Sequence, residues 1–246
     1  MAKVGILLIM VTLIAGMAGC SLFPSQNLEI RTWSDLNAVR DNLEGSYVLM
    51  NDLNSTTAGY AELASPTANG GKGWQPIGTF SAQFKGTFNG QGYRISDLFI
   101  NRPDEMHVGL FGLVDNGGVI QSIGVVNGNV TGYAGVSSLI GGNEGIVSTS
   151  YSTGNVNGTG WVGGLVGQNV GIVGYSYSTG NVTGKDSVGG LVGNNAHGAV
   201  SKSYSSGGVT GNLSVGGLVG NNTGTVDNSF WDIQTSGQAT SAGGIG

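Results

Sequence analysis

The chain has 246 residues, 48 of them glycine, with 9% charged residues, one cysteine and a formal net charge of −5. Glycine follows no three-residue period and only four prolines occur, which excludes collagen. One cysteine excludes an internal disulfide framework, and nine scattered basic residues exclude a nucleic-acid footprint. A 39% hydrophobic content is too high for a disordered chain, so the glycine excess points to repeated tight turns.

The chain opens with Lys3, an uncharged apolar run over 4–14, and the small-residue stretch Ala15-Gly16-Met17-Ala18-Gly19 before Cys20. A charged start, an apolar core and small residues describe a secretory signal over residues 1–19. Met17-Ala18-Gly19-Cys20 resembles the lipobox of bacterial lipoproteins, with Met17 where leucine is commoner. The resemblance implies cleavage before Cys20 and acylation of its thiol. Several acyl chains, at about 0.8 kcal/mol per buried methylene, anchor a protein stably. The competing reading is an uncleaved transmembrane anchor, because residues 4–23 carry no charge and reach spanning length. Residues 20–27 then read as a tether. The folded part is expected outside the cytoplasm, on the outer membrane or cell surface, with the membrane as partner through the lipid.

Residues 28–107 read as a cap helix followed by irregular first coils. The helix is expected over 34–43. Thr32 and Asp35 have capping-box spacing, and Leu36, Val39, Arg40 and Leu43 fall on one stripe with Arg40 its polar member. Such a helix, set before the first coil, would shield the open end of a stacked fold. Residues 46–53, 75–79 and 92–100 read as strands. Residues 54–73 form the longest non-periodic segment, either a plain insertion or a ligand-facing excursion.

From residue 108 to 232 the chain repeats itself. Val162-Gly163-Gly164-Leu165-Val166-Gly167 returns at 188–193 and 215–220, with weaker copies at 108–112 and 136–141. Leu110, Leu139, Leu165, Leu191 and Leu218 step by 29, 26, 26 and 27 residues. Asn116, Asn143, Asn169, Asn195 and Asn222 run in phase with them, and so does the aromatic series Tyr151, Tyr177, Tyr204 and Phe230. The one-residue slip at Ala196-His197 falls in a turn. Short β-branched stretches between glycine and asparagine read as strand and turn, filling two or three sides of a coil. Coils stacked about 4.8 Å apart give an all-β fold, a parallel, right-handed β-helix or solenoid. Within it, the asparagines are expected to form a structural amide ladder, and glycine is expected to supply positive φ at the corners.

Gly164-Leu165-Val166-Gly167 and its copies resemble the GLUG-motif repeat family over roughly 108–231. The segments 32–40, Trp74-Gln75-Pro76-Ile77-Gly78 and 84–92 are similar to its lead-in. The resemblance implies a β-helix in a surface or secreted protein. Some members are bacterial immunoglobulin A metallopeptidases. Their zinc site needs His-Glu-x-x-His, a motif this sequence lacks. Phe230-Trp231-Asp232 and Gln234 to Gln238 are similar to the family's closing segment. Residues 233–246 then read as a tail, either cut short or leaving the last coil for a partner to cover.

No catalytic, metal or cofactor motif stands out. His107 and His197 lie ninety residues apart, and Gly184-Lys185 is followed by Asp186 rather than Ser or Thr. Asp227 and Asp232 are the nearest pair of carboxylates in the repeats. The Tyr151, Tyr177 and Tyr204 column is the candidate ligand-stacking ladder. Unbroken alternation from Val147 would turn it inward. Aligning Ile120 with Val147 sets Gly124 opposite Tyr151 and turns the tyrosines outward, with Ser150 and Ser152 inward. The reading is a lipid-anchored, non-catalytic adhesion or binding scaffold for surface glycans or another surface protein, without nucleic acid or cofactor. The alternative is a carbohydrate-active β-helix enzyme.

Overall fold

The computed structural model describes residues 27–246; the 1–19 leader, Cys20 and all but the last residue of the 20–27 tether lie outside the described residues. The fold is a parallel β-solenoid. Its strands stack into four sheets, two with eight strands, one with six and one with five. One coil runs through Ile146–Ser148, Tyr151–Ser152, Asn155–Asn157, Gly160–Gly163 and Val166–Asn169. The next coil begins at Ile172–Gly174, where Ile172 lies beside Ile146 and Val173 beside Val147. A coil therefore has five short strands, not two or three sides, because glycine-rich corners let a strand end after two to four residues.

The interior is apolar and continuous. Leu139, Leu165, Leu191 and Leu218 are fully buried, as are Val136, Val162 and Val188. Each such side chain contributes roughly 1.5–3 kcal/mol by leaving water, and every coil repeats the set.

The motif glycines are required by close approach rather than by φ. A Cβ on Gly167 would lie 2.6 Å from the Val136 amide nitrogen, and one on Gly193 2.5 Å from that of Val162. Gly220 stands in the same relation to Val188. Repeated left-handed corners fall instead to residues with side chains: Ser122, Thr149, Tyr175, Lys202 and Asn228, at φ between 46° and 55°. This corrects the expectation that glycine holds those corners. Short polar side chains tolerate the left-handed region, and the stacked coils above and below hold Tyr175 and Lys202 there too.

The cap differs from its sequence pattern in extent. A strand, Leu28–Ile30, precedes the helix and pairs with Ser46–Leu49, so the helix follows the first strand. The α-helix covers Trp33–Ala38 and tightens into a 3-10 turn over Val39–Asp41. Thr32 Oγ1 accepts from the Asp35 amide at 3.1 Å, and Asp35 Oδ2 accepts from the Thr32 amide at 2.9 Å. Leu43 lies outside the helix because its carbonyl accepts from the Lys85 and Gly86 amides of a neighbouring coil. Residues 54–73 belong to the cap, with a short helix at Tyr60–Leu63 and a 3-10 turn at Ala68–Gly71. Trp33 sits between Tyr60 and Trp74, 5.7 Å from each ring.

At the other end, Asp232 caps the helix Ile233–Ser236. The chain then returns along the last coil: the Ala242 amide donates to Val219 O and the Ile245 amide to Ser229 O. The tail itself supplies backbone partners to the last coil, where the sequence suggested a partner molecule.

Candidate binding face

Two polar columns run through the solenoid. Asn143 Nδ2 donates to Asn169 Oδ1 at 2.8 Å, Asn169 Nδ2 to Asn195 Oδ1 at 2.8 Å, and Asn195 Nδ2 to Asn222 Oδ1 at 2.7 Å. Asn116 is not a rung. Val114 lies beside Asn143, and Asn116 sits exposed in the turn that follows. That turn holds four residues between Val114 and Val119 where the next holds two between Asn143 and Ile146, which carries the asparagine off the column. A serine column joins the same coils. Ser176 Oγ accepts from the Ser150 amide, Ser203 Oγ from the Ser176 amide and Ser229 Oγ from the Ser203 amide, each at 3.2 Å.

The left-handed corner residue decides where the tyrosines point. Val147 is inward; Thr149, at φ 50°, resets the alternation. Ser150 and Ser152 are therefore buried and Tyr151 faces out. The same shift occurs at Tyr175 and Lys202, turning Tyr177 and Tyr204 outward. Their rings stack with centroids 4.9 Å apart and interplanar angles of 8° and 6°. Gly124 faces Tyr151 in the register, and its missing side chain leaves the room that the Tyr151 ring occupies.

Stacking uses up most of the ring faces. The column therefore presents ring edges and hydroxyls to solvent, with Tyr204 the most open rung at 44% exposure. Burial and then the neighbouring phenols push the Tyr177 hydroxyl above the usual tyrosine value. Beside the column, Lys202 Nζ lies 4.8 Å over the Tyr175 ring and donates to Tyr175 Oη at 2.7 Å.

The other sequence candidates are dispersed. Asp232 spends a carboxylate oxygen on the Gln234 and Thr235 amides, which lower its pKa. Asp227 accepts from Asn228 Nδ2. His197 is in an exposed left-handed turn, and His107 is half-buried at the front end. Among the described residues no three His, Cys, Asp or Glu side chains gather for a metal ion. Sequence reasoning passed over Lys72, Arg102 and Glu105, which form a charge cluster at the front end. Their signal was the Arg102-Pro103-Asp104-Glu105 run in a chain only 9% charged.

Parallel coils, an interior amide ladder and an outward phenol stack define the class, a β-solenoid with one aromatic face. No protein-family profile matches the chain. It is 36% identical over 114 residues to an Evansella cellulosilytica protein named as a candidate Gly-rich membrane protein, covering 46% of this chain and 12% of that one. It is 43% identical over 77 residues to Halomucin of Haloquadratum walsbyi, covering 31% of this chain and 1% of that one. The chain thus spans a small fraction of the length of these relatives. Among solved structures, a Bacteroides ovatus protein described as a candidate immunoglobulin A1 protease superposes with a TM-score of 0.64 at 19% identity. That likeness covers 85% of this chain and 68% of the other, and it concerns the fold alone.

Proposed function

We propose that this chain is a GLUG-type repeat protein, a lipid-anchored, non-catalytic scaffold that binds surface glycans or another surface protein through its tyrosine face. The outward stack of Tyr151, Tyr177 and Tyr204 carries the reading. Rigid aromatic side chains at fixed spacing lose little conformational entropy on contact, and such residues dominate binding hot spots. A name that includes "membrane protein" on one relative supports a membrane or surface setting, and the lipobox-like sequence ending at Cys20 supports a lipid anchor. Asp232 serves as a helix cap, which favours the scaffold over a glycan-cleaving enzyme that needs two free carboxylates.

Two experiments test this. The full chain is applied to a glycan array beside the Tyr151→Ala/Tyr177→Ala/Tyr204→Ala variant. Wild type should bind and the variant should lose at least about tenfold in affinity, the equivalent of about 1.4 kcal/mol; equal binding by both overturns the tyrosine role. Fatty-acid labelling in a bacterial host should mark wild type and spare Cys20→Ser, and an unlabelled wild type removes the anchor from the account.

A further inference from the structure

A cleft of about 450 Å³ opens at the front end, well away in sequence from the tyrosine column. Its volume is in the range of small-molecule sites, roughly 300–1,000 Å³. One wall is the turn from Gln75 to Phe80, and the other is the last part of the strand Phe99–Val108. The register of that strand shifts between Arg102 and Met106, and Glu105, inside that irregular stretch, lines the cleft.

The polar wall is fixed. Arg102, only 8% exposed, donates from Nε to Trp74 O and from Nη1 to both Glu105 oxygens, each at 3.0 Å. Lys72 Nζ holds the same carboxylate at 3.3 Å. Among the described residues Glu105 is the only carboxylate that lines the cleft, and Gln75 adds an amide. Burial lowers the pKa of His107 against a hydrogen bond with Gln168 that raises it. The apolar wall is Pro76, Met106, Leu113 and Phe80. Phe80 is 87% exposed, the most exposed large hydrophobic side chain among the described residues. Met106 on the facing wall is 49% exposed, so the cleft is edged by two exposed apolar side chains rather than a lone one, the kind of grouping that marks ligand grooves.

We infer that this cleft binds one end of a neutral saccharide, with Phe80 and Met106 against a pyranose C–H face and Glu105 and Gln75 taking its hydroxyl donors. A carboxylate already pinned by two cations presents its remaining lone pairs in fixed directions, which suits vicinal hydroxyls. Arg102 and Lys72 direct their donors to Glu105, so the carboxylate of an acidic sugar would have to compete with it for the same cations. This site deepens the glycan-binding reading while standing on residues separate from the tyrosine column.

The test uses the full chain in detergent and saturation-transfer NMR with three separate probes: a neutral hexose disaccharide, an N-acetylhexosamine disaccharide and a hexuronate disaccharide. Binding of a neutral disaccharide, weakened at least about tenfold by Phe80→Ala and by Glu105→Gln but unchanged by Asn116→Ala in an exposed turn outside both sites, supports the cleft. Phe80→Ala removes an exposed side chain and leaves the circular dichroism spectrum intact, so it remains informative if Glu105→Gln unfolds the Arg102 pair. Absence of transfer to either neutral probe, a preference for the uronate, or full binding by Phe80→Ala overturns the inference. Loss in the tyrosine variant with retention in Phe80→Ala overturns the cleft while sparing the tyrosine face.

Discussion

Replacing Asn169 with alanine cuts the amide ladder at its middle. Asn169 accepts from Asn143 Nδ2 and donates to Asn195 Oδ1, both at 2.8 Å, and to Gly171 O at 3.2 Å. It is fully buried, so water cannot replace those partners. Asn143 Nδ2 keeps Gly145 O at 3.2 Å, and its loss is modest. Asn195 Oδ1 is left without a donor, and a buried orphaned group costs about 1–3 kcal/mol, whereas the Gly171 carbonyl keeps the Ala199 amide at 2.9 Å. With the modest net loss of the other two hydrogen bonds, the expected destabilisation is about 2–4 kcal/mol, a large fraction of the roughly 5–15 kcal/mol that holds an average domain together. The control is Asn116→Ala in the exposed turn, expected within about 0.5 kcal/mol of wild type. Urea unfolding followed by circular dichroism measures both. Equal midpoints for the two variants would refute the claim that the ladder, rather than asparagine as a turn residue, stabilises the stack.

Three further outcomes follow from the same geometry. Gly180→Ala drives a Cβ into the Gly154 carbonyl and should cost about 3 kcal/mol or more by overpacking, whereas Gly174→Ala meets Ser201 at ordinary contact distances, Oγ at 3.5 Å and the carbonyl oxygen at 3.9 Å, and should be neutral or stabilising by up to about 1 kcal/mol; melting temperatures compare them. Thr32→Ala removes the capping-box acceptor and should cost about 1 kcal/mol, read from the same unfolding curves. The raised pKa of Tyr177 means the folded state holds that proton more tightly than the unfolded chain. Its contribution is complete below about pH 10, the ordinary tyrosine value, and is lost as pH rises above it. Tyr177→Phe keeps the stack, and its melting temperature should fall less steeply than that of wild type between pH 9 and 12.

The repeat period was legible because stacking imposes it. Side chains in one column share one environment, so Leu165, Leu191 and Leu218 recur in step, as do Asn169, Asn195 and Asn222. The capping box at Thr32 was equally legible, being a local contact. The direction of the tyrosines was not, because it depends on left-handed corners at Thr149, Tyr175 and Lys202, residue types that do not announce that conformation as glycine does. Asn116 misled for a related reason: a count of residues keeps phase through a turn of different length, while a hydrogen-bonded register does not. The front-end cleft was hidden because Gln75, Glu105 and Leu113 come from segments that only the fold brings together.

Binding of the fluorescently labelled full chain to intact bacterial cells tests the central claim most directly. A saturable isotherm is expected, weakened at least about tenfold when Tyr151, Tyr177 and Tyr204 become alanine, with the circular dichroism spectrum retained. A triple variant that folds and binds cells as tightly as wild type would contradict it.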